Sequence, residues 1–185
     1  MSDFVRTEFL TGFPFETSVM ATRSEYVFRK ALDLYRSARK SAFFHELWAK
    51  LSGKSYRLMA FPEVYEVINR YDLGHQTVEI NKIKGSEGRN SDYDDAFRPL
   101  KNNGKDRWVR TAMQVWLGVG LPPVDLIQVG DAYFVRDGHN RISTMRALGC
   151  KYVDAHVTCL VTSFSLTSKP RPVCTPAPEF IIVNL

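Results

Sequence analysis

The segment Tyr133–Gly149, which reads YFVRDGHNRISTMRALG, decides the fold of this chain because it joins an apolar strand to a helix through an Asp137-Gly138 turn. Gly138 can adopt the positive φ angle that such a turn needs. The backbone N–H groups from His139 onward then lie unpaired at a helix start, where the helix dipole favours an anion. Arg141 adds a planar guanidinium that can bind phosphate oxygens in a bidentate manner. The segment therefore predicts a phosphate-binding turn.

The same segment also fits a purely structural interpretation. In that interpretation Ile142, Met145 and Leu148 form the core face of an amphipathic helix, and Gly149 ends the helix. Both interpretations predict the same strand, turn and helix. They differ only in whether the turn also binds a ligand.

The elements on both sides of this segment follow from local patterns. Val124–Val129 is predicted as a strand, Gly130-Asp131 as a two-residue hairpin turn, and Ala132–Arg136 as the partner strand. After the helix, Tyr152–Cys159 alternates between apolar and polar residues, which is typical of a half-buried strand. Asp106–Leu117 is predicted as a further helix, with Trp108 in the core and Gly118 ending it.

The stretch PPVDLIQVGDAYFVRDGHNRISTMRALGCKYVDAHV, residues 122–157, resembles the nucleotide-binding core of the ParB/sulfiredoxin superfamily. The resemblance extends over about Thr77–Leu160. Its Asp-Gly-His-x-Arg turn is most similar to that of the free-serine kinases, which use ADP as phosphate donor. Sulfiredoxins carry their reactive cysteine where this chain has His139, so sulfiredoxin activity is not expected.

The loop upstream of this stretch receives two roles from the resemblance. Thr77–Lys84 is predicted as a strand, and Gly85–Arg89 is the loop that follows it. The serine kinases place their catalytic base, a glutamate, in the corresponding loop, which implies that role for Glu87. ParB-like proteins place an arginine there that approaches the phosphates, and Arg89 matches it. The residues alone also fit a glycine turn with both side chains in solvent.

The implied chemistry is phosphoryl transfer from a nucleotide (ATP, ADP or CTP) to a small hydroxyl acceptor, in which the protein mainly positions groups and neutralises charge. Asp137 is the second candidate catalytic residue and a possible Mg²⁺ ligand, because hard cations bind oxygen atoms beside phosphates. It also fits a turn residue whose carboxylate accepts a local N–H. His139 could contact phosphate or cap the helix, and Asn140 stands where many relatives have a second histidine. The predicted cofactor-binding residues are Arg89, Gly138, His139, Asn140 and Arg141.

Residues 1–76 are predicted as a helical region. Thr22–Glu25 is a capping box that would begin a helix. Two apolar stripes follow, the first of Val27, Ala31, Leu34, Tyr35 and Ala38, and the second of Phe43, Phe44, Leu47, Trp48 and Leu51. A short third helix is predicted over Pro62–Asn69, and Tyr71–Gln76, which contains Gly74, is the predicted linker to a core at residues 77–160.

Positive charge is concentrated in the predicted helices of residues 22–57. From Met20 to Ala60 there are nine basic and three acidic residues, a net charge of +6, against +5 for the whole chain. A basic helical face can bind nucleic acid through phosphate contacts. It can equally be the solvated side of an amphipathic helix. A DNA-associated module is therefore the alternative to a small-molecule enzyme, and a non-catalytic nucleotide sensor is the third hypothesis.

Composition restricts the remaining possibilities. With 44% hydrophobic and 24% charged residues, the 185-residue chain has room for one core and an accessory unit. It has no apolar run of about 18 residues, so no membrane partner is expected. Three cysteines without metal-ligand spacing suggest reduced thiols and a cytoplasmic location. Residues 161–185 are predicted as a proline-rich tail, and the oligomeric state is left open.

The predicted fold class is therefore α+β: a mixed-sheet, ParB/sulfiredoxin-like core with a helical N-terminal layer. The predicted function is nucleotide phosphate binding, with kinase or nucleotide hydrolase activity as its catalytic form.

Overall fold

A computed structural model describes residues 14–61 and 67–162 of the chain. These residues form an α+β fold with one six-stranded mixed sheet, which confirms the predicted class. The described helices are α1 (Pro14–Ser52), α2 (Lys105–Trp116) and α3 (His139–Ala147). The described strands are β1 (Met59–Ala60), β2 (Val67–Glu79), β3 (Ile83–Ser86), β4 (Val124–Val129), β5 (Ala132–Asp137) and β6 (Tyr152–Thr162), and a 3₁₀ turn (Ile80–Lys82) joins β2 to β3.

The sheet has the order β1-β3-β5-β4-β6-β2. β4 and β5 form the predicted hairpin, in which Val129 pairs with Ala132 across a turn where Gly130 has a φ of +58°. β6 runs parallel to β4 and antiparallel to β2, while β3 runs parallel to β5. The end of β3 and the end of β5 therefore lie side by side at one edge of the sheet. The loop after β3 and the turn before α3 meet there.

Two apolar clusters position the helices. The main core packs Ile142 of α3 against sheet residues such as Leu126 and Val135, all buried. The second cluster joins α1 to α2 through Tyr35 and Trp108, whose rings meet edge to face with centroids 5.4 Å apart. The indole N–H of Trp108 also donates to the Ser143 hydroxyl of α3 at 2.8 Å. α2 is therefore fixed to both α1 and α3.

The predicted linker and first strand are wrong. Tyr71–Gln76 lies within β2, which begins at Val67, so the expected boundary between residues 76 and 77 falls inside a strand. The strand expected over Thr77–Lys84 is interrupted by the 3₁₀ turn after Glu79. β2 pairs along its length with β6 and takes up a register shift between Asp72 and Gly74. β2 is an edge strand largely open to solvent, and its middle part, with Asp72, Gly74 and Gln76, shows no apolar alternation, which is why that part resembles a linker.

The prediction of two N-terminal helices is also wrong, because α1 is continuous and the Thr22–Glu25 capping box lies inside it. The first apolar stripe is largely confirmed, since Val27, Ala31 and Tyr35 are buried. The second stripe is exposed, with Trp48 at 71% and Leu51 at 76%. An apolar helix face shows amphipathicity but does not specify what covers the face.

Four further expectations concern a third N-terminal helix, the tail, the cysteines and a membrane span. Of the helix predicted over Pro62–Asn69, the last three residues belong to β2 and the rest lie outside the described residues, as do residues 163–185. Cys150 is a free thiol but Cys159 is disulfide-bonded, so the expectation that every cysteine is reduced is wrong. An odd number of cysteines still allows one pair.

Across the described ranges, no helix has the length and apolar character needed to cross a membrane.

Candidate anion-binding site

The turn before α3 has the conformation that the sequence predicts. Gly138 adopts φ +97° and ψ 19°, and a Cβ atom there would lie 2.5 Å from Cγ1 of Val124. Glycine is thus required both by the backbone angle and by the packing. The first helical hydrogen bond of α3 runs from the Ile142 N–H to the Gly138 carbonyl at 3.0 Å. Within the described residues, nothing accepts the N–H groups of Asn140 and Arg141.

Arg141 does not present an unoccupied fork to solvent. Its Nη1 donates to the carbonyls of Pro122 and Pro123 at 2.8 and 2.7 Å, and its Nη2 donates to Asp137 at 2.6 Å. The Arg141 side chain is 17% exposed, whereas that of Asp137 is 71% exposed. The guanidinium therefore holds the turn against the segment that leads into β4. The two predicted site residues Asp137 and Arg141 are brought together, but as an ion pair with each other.

The loop after β3 is folded around one hydroxyl group. The Oγ atom of Ser86 accepts the N–H groups of Gly88 at 3.2 Å and of Arg89 at 2.9 Å. The Glu87 carboxylate, which is 41% exposed, accepts a hydrogen bond from Nε of Arg136 at 3.0 Å. The Nε atom of Arg89 lies 3.7 Å from the Asp92 carboxylate. The predicted base is therefore accessible but paired with a cation.

His139 and Asn140 are buried at the start of α3 and contact the same tyrosine. The ring of His139 stacks on Tyr93, with centroids 6.0 Å apart, and Oδ1 of Asn140 accepts the Tyr93 hydroxyl at 3.0 Å. Burial, and secondarily the positive charge of Arg89, lower the pKa of His139 to about 4, so the imidazole is neutral near pH 7. Burial raises the pKa of Tyr93 to about 12, which keeps its hydroxyl protonated.

A cavity of about 340 Å³ opens beside these residues, between the loop after β3, the start of α2 and the start of α3. Its charged lining consists of the cations Arg89, Lys101, Arg107 and Arg110 and the carboxylates Asp92 and Asp106. Its other lining residues are Tyr35, Tyr93, Pro99, Asn103, Gly104, Trp108 and Asn140. Lys101 is paired with Asp92 at 2.7 Å, whereas Arg107 and Arg110 have no ion pair among the described residues. The cavity therefore carries excess positive charge.

The start of α2 adds to this charge. The helix spans twelve residues and follows Gly104, which lines the cavity and has no side chain that could cap the helix. Unpaired N–H groups and the helix dipole give such a start a partial positive charge. Arg107 and Arg110 are three residues apart, so they project from neighbouring positions on one face of α2.

The cavity contains only part of the predicted site. Arg89 and Asn140 line it, and His139 lies directly behind Tyr93. Asp137, Gly138, Arg141 and Glu87 do not line it. The residues that sequence reasoning missed are Ser86, Lys101, Arg107 and Arg110. The sequence pattern that could have indicated them is Asn102-Asn103-Gly104 followed by a helix with two arginines one turn apart. As at Gly138, a glycine there directly precedes the start of a helix, and such a site is called a glycine-led helix start below.

The basic face of α1 is partly neutralised. Arg29 pairs with Glu25 at 2.7 Å and Arg36 pairs with Asp33 at 3.2 Å. Arg39 donates to the carbonyl of Pro99 at 3.1 Å, which fixes α1 to the loop beside the cavity. Arg29, Arg36 and Arg39, three of the nine basic residues between Met20 and Ala60, therefore have partners within the chain.

A second group of possible metal ligands lies near the C-terminal end of α1. Nδ1 of His45 is 3.6 Å from a carboxylate oxygen of Asp94 and 3.6 Å from one of Asp95. Asp94 already accepts hydrogen bonds from Nε of Arg98 at 2.6 Å and from the N–H groups of Ala96 and Arg98. Both oxygens of Asp94 therefore accept hydrogen bonds from its own loop, so this carboxylate stabilises the loop.

Comparison of the chain with models of protein families, with curated proteins and with solved structures found no match. The class of the site is therefore defined by its own residues, as a cationic cavity beside two glycine-led helix starts. The resemblance to the ParB/sulfiredoxin superfamily stays a prediction.

Proposed function

We propose that this chain binds the phosphate groups of a nucleotide in the cavity between Arg89 and the start of α2, on a ParB/sulfiredoxin-like core. The observation that carries the proposal is the set of four cationic side chains that line one cavity of about 340 Å³, against two carboxylates. A partly enclosed site strengthens charge–charge interactions relative to bulk water. Nucleotide phosphates carry several negative charges, and this electrostatic match supports them as the ligand.

The lining residues divide into cations ready to bind and groups that must rearrange. Arg107 and Arg110 have no ion pair to break among the described residues, and Arg89 has only a long contact with Asp92. Lys101 has to leave Asp92 before it can contact a phosphate. Asn140 uses its carbonyl oxygen to accept from Tyr93, so its amide N–H groups are the ones left for a ligand.

Phosphoryl transfer to a small hydroxyl acceptor is the reaction that the resemblance implies. Its two carboxylates, Glu87 and Asp137, lie outside the lining of the cavity, so the acceptor would have to meet the phosphates from outside it. Glu87 acts as the base that takes the proton of the acceptor, and Asp137 binds Mg²⁺. Their exposure, 41% and 71%, supports access by substrate and ion. Each carboxylate must first leave an arginine, Arg136 for Glu87 and Arg141 for Asp137.

Calorimetric titration with ATP, ADP and CTP, with and without Mg²⁺, tests the proposal. Removing Arg107 or Arg110 deletes a charge-assisted contact of about 1.5 to 3 kcal/mol, which weakens affinity about 10- to 150-fold. Arg29→Ala is the matched control, since Arg29 is an exposed arginine on α1 that does not line the cavity.

Equal affinity in Arg107→Ala, Arg110→Ala and the parent would place the ligand elsewhere. A parent that binds none of the three nucleotides would remove the proposal. Binding without transfer of phosphate to serine or to other small hydroxyl compounds, and without hydrolysis, would leave the nucleotide sensor as the function.

A further inference from the structure

Ser86 and His139 form a buried serine–histidine pair. Ser86 is 1% exposed and His139 is 5% exposed, and Oγ of the serine lies 2.6 Å from Nε2 of the histidine. Such a pair can be a nucleophile with its general base. The other hydrogen bonds of Ser86 exclude that role in this arrangement.

The donor and acceptor roles of the pair follow from a count of hydrogen bonds. A serine hydroxyl has two acceptor lone pairs and one proton. Both lone pairs of Ser86 are occupied, since Oγ accepts the N–H groups of Gly88 and Arg89. The proton is therefore donated to Nε2 of His139, and the neutral imidazole carries its own proton on Nδ1. A nucleophile needs an available lone pair and access to a substrate, and Ser86 has neither.

The same bonds connect two walls of the cavity. Arg89, whose N–H is held by Ser86, lines one wall, and Asn140, the neighbour of His139 in α3, lines another. We propose that Ser86 is a positioning residue that ties the Ser86–Arg89 loop to the start of α3 and thereby holds Arg89 at the cavity. The effect on nucleotide affinity rests on the proposed function, whereas the tie itself does not.

The tie is tested by nuclear magnetic resonance of the imidazole nitrogens in the full chain, with the His139 signal assigned by its loss in His139→Gln. The parent should show the Nδ1-protonated tautomer. Ser86→Ala, which removes the donor to Nε2, should shift His139 toward the Nε2-protonated form. Amide hydrogen exchange at Gly88 and Arg89 should be slow in the parent and faster in Ser86→Ala. Ser52→Ala, at the end of α1, is the control and should change neither signal.

Affinity for ADP supplies the functional readout. Ser86→Ala should weaken binding about tenfold, and adding His139→Gln should weaken it little further, because both changes break one shared bond. Circular dichroism and thermal unfolding check that the variants are folded. Ser86→Cys retains a weak donor and acceptor at the same position, and should recover part of the affinity if Ser86→Ala folds poorly.

Three results would overturn the proposal. The first is an Nε2-protonated His139 in the parent, or a tautomer and amide exchange rates that Ser86→Ala leaves unchanged. The second is labelling of Ser86 by a fluorophosphonate, which would make it a nucleophile. The third is a parent that binds ADP and a folded Ser86→Ala that binds it equally well. If the parent binds no nucleotide, the proposed function fails, and the tautomer and the exchange rates still decide on the tie: a changed tautomer and faster exchange in Ser86→Ala support it, and unchanged values remove it.

Discussion

Replacing Gly138 by alanine should destabilise the protein through two separable effects. The backbone there has a φ of +97°, a conformation that costs an L-residue about 1 to 2 kcal/mol. The new Cβ would also lie 2.5 Å from Cγ1 of Val124, which is fully buried and cannot move aside without disturbing the core. Overpacking of that kind costs about 1 to 3 kcal/mol. The expected loss in the free energy of unfolding is therefore about 2 to 5 kcal/mol.

Two other glycines separate these contributions in the same urea-unfolding assay. Gly130 has a φ of +58° and open space around it, so Gly130→Ala should show only the backbone cost of about 1 to 2 kcal/mol. Gly88 has open space and no positive φ, so Gly88→Ala should be neutral or slightly stabilising. If Gly138→Ala loses no more stability than Gly130→Ala, the close packing of the turn against Val124 is refuted.

Glu87→Gln should lower the rate of phosphate transfer about 10²- to 10⁴-fold and leave nucleotide affinity unchanged, because a base contacts the acceptor hydroxyl and not the phosphates. Full activity of this variant would exclude Glu87 as the base. His139 should lower the free energy of unfolding by about 3 kcal/mol as the pH falls from 6.5 to 4. Its pKa is about 4 in the folded protein and about 6.5 in the unfolded chain. The unfolded chain therefore binds more protons than the folded protein in this pH range. Urea unfolding of His139→Gln at both pH values should lack this part of the pH dependence, and an equal dependence would contradict the low pKa. Duplex DNA should bind weakly and through few phosphate contacts, because Arg29, Arg36 and Arg39 already have partners. The logarithm of the binding constant should therefore fall only slowly with the logarithm of salt concentration, by about 0.9 per contact. A steep dependence that Lys40→Ala reduces would restore α1 as a DNA-binding surface.

The parts of the fold that could be predicted are those in which neighbours along the chain are neighbours in space. β4, β5 and α3 are joined by a two-residue turn and by Gly138, so glycine positions and alternation are sufficient to place them. β6 follows the same logic, since Val153, Ala155 and Val157 face the core at every second position. The backbone of the predicted turn is correct for the same reason.

Tertiary partners decide the features that the sequence could not predict. The Arg141 guanidinium binds the carbonyls of Pro122 and Pro123, nearly twenty residues upstream, and no local pattern specifies that choice. The exposure of Trp48 depends on where α2 packs along α1, and α2 meets Tyr35 instead. β2 is stabilised by pairing with β6, and that pairing holds Asp72, Gly74 and Gln76 in a strand although these residue types carry little strand signal.

The cavity also depends on tertiary partners and could not be predicted from local sequence. Its construction links ligand binding to the packing of the helices. Its lining comes from α1, from the loop and helix after β3, and from α3, because Tyr35, Arg107 and Asn140 all contribute to it. The hydroxyl of Tyr35 lies 3.3 Å from the Lys101 carbonyl, and Trp108 bonds to Ser143, so these elements are tied to one another as well as to the cavity. A polyanion that draws Arg107 and Lys101 inward would therefore act on α1 and α3 through α2. A ligand that binds only the folded state stabilises that state by mass action. Because the lining joins three helices that are tied to one another, a ligand of this cavity should raise the unfolding temperature of the described fold in a single transition. A second transition that the ligand leaves unchanged would contradict this coupling.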